Sequence, residues 1–213
     1  MSVPILIIGA GGHGRVVADL IVAGGHEVLG FLDSNQALHG TSVDGLKVLG
    51  GDDHLANYTP AGIRLANGIG AVTSLDPRSR IFTRLSAAGY RFEPLVHPRA
   101  IVAAAAIIAA GAQIMAGAVV QTGARIGENA IVNTGAIVDH DCRIGRHAHI
   151  APGATLCGNV QAGEGCYVGA GSTVIQGVRI GAGAFIGAGS VVIADVADAA
   201  RVAGVPAKAM GSQ

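Results

Sequence analysis

The 213-residue chain contains no tryptophan, and aromatic residues make up only 3% of it. A core of large interlocking rings is therefore excluded. Charge of one sign is also missing: fourteen Lys and Arg balance fourteen Asp and Glu, so no broad basic surface exists to attract nucleic acid. Cysteine is scarce. Cys142, Cys157 and Cys166 are odd in number and form no C-x-x-C pair, which excludes a disulfide framework and predicts reduced thiols in the cytoplasm. The N-terminus runs into an apolar strand with no basic region or cleavage site before it, so no secretory signal is expected.

What is abundant is small. The chain carries 34 Gly and 38 Ala, together about a third of it. Gly does not recur at every third position, so a collagen helix is excluded. Half of the residues are hydrophobic, which excludes disorder. Such a chain gains its stability by stacking backbone on backbone, as repeat architectures do. Residues 100–120 are apolar except for Gln113, long enough to span a bilayer. Their Ala and Gly content gives weak insertion energy, and the same repeat continues into polar sequence, so no membrane span is predicted.

The repeat begins at Val102. Every sixth residue from there to Val192 is Val, Ile or Leu, with Ala162 the one exception among sixteen positions. Four residues after each lies a small or β-branched residue, from Ala106 through Cys142 and Cys166 to Ser190. A period of six fits neither a helix nor an alternating strand. It predicts a β-solenoid of short strands, with the aliphatic residue inward and Gly at the corners. Three hexads per triangular coil give five coils over residues 102–191. Cys142 and Cys166 fall in the small register and are expected to be packing residues.

The first hundred residues read differently. An apolar strand over 3–8 leads into Gly9-Ala10-Gly11-Gly12-His13-Gly14, then a helix over about 15–23 and a second strand over 26–32 that ends at Asp33. This is a βαβ start with a G-x-G-x-x-G loop, whose backbone N–H groups can approach a phosphate at a helix N-terminus. A third strand is expected over 63–66, a helix over 77–88 and a last strand over 90–96. The length suffices for half a dinucleotide fold, sized for one nucleotide. The expected organisation is an α/β nucleotide-binding domain over 1–98 and a β-solenoid with a C-terminal tail over 99–213.

The hexads resemble those of the hexapeptide-repeat acyltransferases. The pairing of the two halves resembles the branch that acetylates nucleotide-linked amino sugars in bacillosamine and perosamine synthesis, with sialic-acid O-acetyltransferases as relatives. The matching stretches are Gly9 to Gly14, Phe31-Leu32-Asp33, Ala66 to Gly70, Asn133 to Cys142 and Gly204-Val205-Pro206-Ala207-Lys208. The resemblance implies a half-Rossmann domain followed by a left-handed parallel β-helix, and a cytoplasmic homotrimer with active sites between subunits. It also implies acetyl-CoA as co-substrate, with no metal, and transfer to the 4-amino group of a nucleotide-linked deoxy-amino-sugar. Residue by residue, it implies His140 as general base with Asp141 orienting it, and Asn133 near the acceptor amine. His149, Ala170 and Ala188 are implied contacts of acetyl-CoA, and Gly11, Gly12, His13, Asp33, Ser34 and Gly70 contacts of the sugar nucleotide. Asp141 stands where the bacillosamine relative has a longer glutamate, which puts its reach to His140 in question. Ser34 replaces a second aspartate, which leaves the base open between guanine and uracil.

The chemistry is consistent with this. An attacking amine must lose a proton, and an imidazole with a pKa near ~6.5 accepts one near neutral pH. No Ser or Cys is placed as a nucleophile, so direct transfer is expected. His147 has no counterpart and is expected at the surface. Three other readings stay open: sialic-acid-type O-acetylation, a zinc carbonic anhydrase built on His140, His147 and His149, and a non-catalytic sugar-nucleotide-binding protein.

Overall fold

The computed structural model describes residues 3–70 and 76–210. The chain divides into two compact units between Leu95 and Val96, a few residues before the boundary expected at 98.

The N-terminal unit is built on a five-stranded sheet. Strand β1 (Ile5–Ile8) leads into helix α1 (Gly12–Ala23) and strand β2 (Val28–Leu32). A short hairpin follows, β3 (Ser42–Val43) and β4 (Leu46–Gly50), then β5 (Arg64–Asn67) and α2 (Asp76–Ala87). The order across the sheet is β3-β4-β2-β1-β5, parallel except for β3 against β4. β1 is wholly buried, as its uninterrupted Ile-Leu-Ile-Ile requires of a central parallel strand. Leu6, Ile8, Leu32 and Leu65 pack with Phe82 and Leu85 of α2 and with Phe92.

Two details differ from the expectation. The β3–β4 hairpin lies in a stretch for which no strand was expected. Its turn, Asp44-Gly45, has left-handed backbone at both residues, as a tight hairpin turn demands. The strand expected over 90–96 does not exist as one piece. Phe92 makes a single bridge to Leu65, and only Leu95–Val96 forms a strand, at the end of a different sheet.

The C-terminal unit is a left-handed parallel β-helix. Two-residue strands recur every six residues and form three parallel faces. The first runs from Ile101–Val102 to Val191–Val192, the second from Ile107–Ile108 to Arg179–Ile180, the third from Leu95–Val96 through Gln113–Ile114 to the tail strands Arg201–Ala203 and Lys208–Ala209. Up to Val192 the strands pair eighteen residues apart, as in Val120 with Val138 and Ile126 with Ile144; at the end of the third face Phe185 pairs with Arg201, sixteen apart, and the two tail strands pair antiparallel. The sixth-residue aliphatics are the second residue of each strand. From Ile114 to Val192 all are buried, with the small register packed between them. Corner positions just before the small register have left-handed backbone. Gly fills most of them, but Asn129, Asp141, His147 and Asn159 take the rest. The apolar segment 100–120 forms rungs of this solenoid, and no helix among the described residues is long and apolar enough to cross a membrane.

Candidate active site

In the N-terminal unit the candidate nucleotide residues gather at the carboxyl ends of β1, β2 and β5, where open α/β sheets bind ligands. The glycines there divide into two kinds. A Cβ on Gly14 would lie 2.1 Å from the Gly9 carbonyl oxygen, and one on Gly68 would lie 2.5 Å from the same atom. Gly9, Gly14 and Gly68 therefore interlock and set how closely the helix approaches the strands. Gly11 and Gly12 face open space at the first turn of α1, where backbone N–H groups are unpaired by the helix itself. Gly70 lies against His13: a Cβ there would come 3.0 Å from His13 Cβ.

Asp33 braces this corner. Its Oδ2 accepts the Ala10 N–H at 2.8 Å, and its Oδ1 accepts the Asn35 N–H at 2.8 Å. The carboxylate thus ties the glycine loop to the turn after β2. Ser34 beside it is exposed. A residue that sequence reasoning missed holds the other side. Arg78 of α2 is fully buried and donates to the Asn67 and Ile69 carbonyls, both at 2.9 Å, while Asn67 Nδ2 donates to the Arg78 carbonyl at 3.0 Å. Burial pushes its guanidinium down to about 9, still protonated at neutral pH. No sequence pattern distinguishes this arginine from the others on a surface helix.

In the β-helix, His140 and Asp141 form the corner between the first and second faces. Asp141 takes left-handed backbone, and its Oδ2 stands 3.0 Å from His140 Nδ1. The shorter acid does reach the imidazole. Nδ1–H donates to the carboxylate, which leaves Nε2 with its lone pair. The Asp141 hydrogen bond, followed by the charge of Asp139, raises the His140 pKa above its ordinary value. The side chain is more than half exposed.

Two further glycines seat this pair, and neither was singled out from the sequence. A Cβ on Gly158, one coil above His140, would lie 2.4 Å from its Nε2. A Cβ on Gly123, one coil below Asp141, would lie 2.5 Å from its Oδ1. Both are eighteen residues from their partner, the signal by which they are findable.

Asn133 and His149, on neighbouring coils, meet where the third face turns toward the first. Asn133 Oδ1 accepts the Thr134 N–H at 2.8 Å, which fixes the amide, so Nδ2 donates to His149 Nε2 at 3.1 Å. His149 is buried, and its ring packs edge-on against Tyr167, centroids 5.1 Å apart. Ala170 and Ala188 are exposed at this same edge, one and two coils higher. His147 corrects the surface expectation: it is buried, and its Nδ1 accepts from Asn129 Nδ2 at 2.9 Å. It folds back onto the residue one coil below. His140, His147 and His149 thus occupy a first corner, a second corner and a face, and among the described residues no group of three His, Cys, Asp or Glu is placed to hold a metal ion. Cys142 and Cys166 are buried packing residues, their thiols pushed by burial up to about 11 and about 12.

Comparison with known proteins fits this geometry. Residues 4–85 match the PglD N-terminal domain family, and residues 123–158 and 160–194 match the bacterial transferase hexapeptide family. No curated protein sequence matches the chain. Among solved structures, the acetyltransferase domain of PglB from Neisseria gonorrhoeae, in complex with acetyl coenzyme A, superposes with a TM-score of 0.93 at 38% identity, over 99% of this chain and 100% of that one. PerB from Caulobacter crescentus, in complex with CoA and GDP-perosamine, gives 0.90 at 37% identity, over 98% and 97%. WeeI from Acinetobacter baumannii shares the fold, with a TM-score of 0.87 at 24% identity. With such identity over nearly its whole length, the chain belongs to the hexapeptide-repeat acetyltransferases that carry a PglD-type N-terminal domain.

Proposed function

We propose that this protein transfers the acetyl group of acetyl-CoA to the 4-amino group of a nucleotide-linked deoxy-amino-sugar. The observation that carries this reading is the His140–Asp141 pair. Its Nδ1–H is held by the carboxylate at 3.0 Å while Nε2 stays open as a proton acceptor, in a chain 37–38% identical to proteins crystallised with acetyl-CoA and with CoA and GDP-perosamine.

His140 Nε2 takes a proton from the amine as the amine attacks the thioester carbonyl, and CoA leaves as the thiol. Asp141 keeps the ring in the tautomer this requires and stabilises the imidazolium that forms. A backbone N–H beside the imidazole, such as that of Gly158, serves as donor to the tetrahedral oxyanion, because the missing side chain leaves the backbone bare there. Asn133 faces the acceptor, with its amide held by Thr134 and His149. Gly11, Gly12, His13, Asp33, Ser34 and Gly70 hold the sugar nucleotide. GDP-perosamine and the UDP-linked 4-amino precursor of bacillosamine are the two leading acceptors, and exposed Ser34 is the residue by which the base is read.

The complete site requires more than one chain. His140 and Asn133 occupy different corners of the prism, so one copy does not bring both to the same amine. A homotrimer, with His140 of one subunit facing the Asn133–His149 edge of the next, supplies both. The first face supports this arrangement, because it presents Ile101 and Ile137 to solvent, 67% and 38% exposed. The three free thiols support a cytoplasmic setting.

The test is thiol release from acetyl-CoA with a panel of UDP-, GDP- and dTDP-linked 4-amino sugars. Release with one of them, abolished in His140→Asn while acetyl-CoA still binds, is the expected result. Binding of acetyl-CoA without release on any amine would overturn amine acetylation and direct the search to hydroxyl acceptors. Turnover undiminished in His140→Asn would remove the histidine from its role.

A further inference from the structure

Three carboxylates stand where β2 and β4 end, and two of them are committed to the fold. Asp33 gives its oxygens to the backbone, Oδ2 to the Ala10 N–H and Oδ1 to the Asn35 N–H, each at 2.8 Å. Asp52 is paired with Arg84 of α2. Asp53 follows it in the short 3-10 helix Asp52–Asn57 and is exposed. Its carboxylate forms no hydrogen bond or ion pair among the described residues.

A missing side chain marks where this carboxylate lies. A Cβ on Gly51 would stand 3.0 Å from Asp53 Oδ1, 3.5 Å from His39 Cε1 and 3.8 Å from the Asp33 carbonyl oxygen. Carboxylate and imidazole thus close around bare backbone at the end of β4. His39 Nε2 lies 2.7 Å from the Asp33 carbonyl, which can only accept, so the ring donates there and Nδ1 keeps its lone pair. Asp53 and His39 Nδ1 therefore both offer acceptors beside a glycine floor.

The sheet order places this patch relative to a nucleotide. In such parallel sheets the phosphates lie at the N-terminus of the helix after β1, and the acidic residue ending β2 faces the ribose. The base then lies beyond β2, toward β4. From the end of β1 to the end of β4 is two strand spacings, about 10 Å, a distance that a ribose bridges between phosphate and base.

A free carboxylate at that end selects among bases. Guanine carries two adjacent donors, N1–H and the N2 amino group, which match the two oxygens of one carboxylate. Uracil and thymine carry one N–H between two carbonyls, so a carboxylate that accepts it sets its other oxygen against a carbonyl oxygen. The carboxylate also repels a diphosphate unless the ligand donates hydrogen bonds to it. We propose that Asp53 accepts N1–H and N2–H of guanine and so restricts the acceptor to GDP-linked sugars. This rests on the sugar-nucleotide reading above. Asp53 thereby supplies the carboxylate that Ser34, at the neighbouring strand end, does not.

The experiment is calorimetric titration of the full-length protein with GDP, with UDP and with inosine 5′-diphosphate, which lacks the 2-amino group. The wild type is expected to bind GDP about 10-fold or more tightly than either, the scale of one hydrogen bond to a charged group. Asp53→Asn should weaken GDP by about 10-fold or more and bring it level with inosine 5′-diphosphate, while UDP changes by less than about 2-fold and so reports an intact site. Gly51→Ala, which sets a methyl group against Oδ1, should show a smaller loss of the same kind. UDP bound as tightly as GDP by the wild type would overturn the proposal, as would equal GDP affinity in wild type and Asp53→Asn. Binding of neither GDP nor UDP would remove the nucleotide site and this proposal together. GDP binding that depends on Asp53, with no thiol release from acetyl-CoA on any GDP-linked 4-amino sugar, would support the role of Asp53 and refute acetyl transfer to those amines.

Discussion

Replacing Gly158 by alanine separates the site's geometry from the stability of the fold. The added methyl carbon would stand 2.4 Å from His140 Nε2 and 2.5 Å from its Cε1. Ordinary contact between heavy atoms begins near ~3.5 Å, so the imidazole must retreat by about 1 Å. A displacement of that size at the reacting group costs about 100-fold in rate. The backbone, by contrast, has no reason to object. Gly158 does not occupy the left-handed region, and an alanine in ordinary backbone reduces the freedom of the unfolded chain. The expected outcome is a kcat lower by about 100-fold with a melting temperature equal to or above that of the wild type. Gly127→Ala is the contrast. Its Cβ would meet the Arg146 and Gly145 backbone of the next coil at 2.7 Å, with no flexible side chain to yield, so it should destabilise the β-helix itself. Thiol release and thermal unfolding of the two variants are the assay. A Gly158→Ala enzyme with wild-type kcat would refute the idea that the imidazole must lie against that glycine.

Three other expectations rest on separate observations. Because the Asp141 hydrogen bond and the Asp139 charge raise the His140 pKa, the base form appears only above that raised value. kcat/KM should therefore climb with pH through a limb above ~6.5, and Asp141→Asn should move that limb to lower pH; an unmoved limb would show that Asp141 does not tune the base. Asp33→Ala removes the acceptor of two backbone N–H groups, about 2 kcal/mol together, so KM for the sugar nucleotide should rise by about 10-fold or more while KM for acetyl-CoA stays put. Arg78→Met deprives one buried and one half-buried carbonyl of their donor, and urea unfolding of the protein should show a loss of about 3 kcal/mol; a loss below ~1 kcal/mol would mean that the loop after β5 is held by other contacts.

The β-helix was legible in the sequence because each rung repeats the same physical problem. An inward aliphatic, a small residue and a left-handed corner recur with nothing inserted, so the period predicts strand positions and burial, and with three hexads to a coil it predicts the coil of eighteen. The hairpin β3–β4 was missed although Asp44-Gly45 announces it, because its strands are short and only partly buried. His147 was misplaced for a different reason. The resemblance gave it no counterpart and hence a place at the surface, whereas its partner Asn129 lies one coil below. Gly158 and Gly123 escaped notice in the same way: what they support is eighteen residues distant, and a glycine in a glycine-rich repeat looks like every other. Arg78 is invisible on another ground. Burial of a cation depends on carbonyls of the Asn67–Ile69 turn, which no local pattern on α2 reports.

The eighteen-residue register also makes the prism a ruler. Distance along it is counted in whole rungs of about 4.8 Å, and nothing between two rungs is available to the chain. A deletion or duplication of one complete coil, such as residues 168–185, would keep every inward side chain in phase, and with it the fold. It would change the spacing between His149 and Arg201 by one graduation. Length variation in such a protein is therefore quantised, and the height of each face is set by the number of coils rather than by any single side chain.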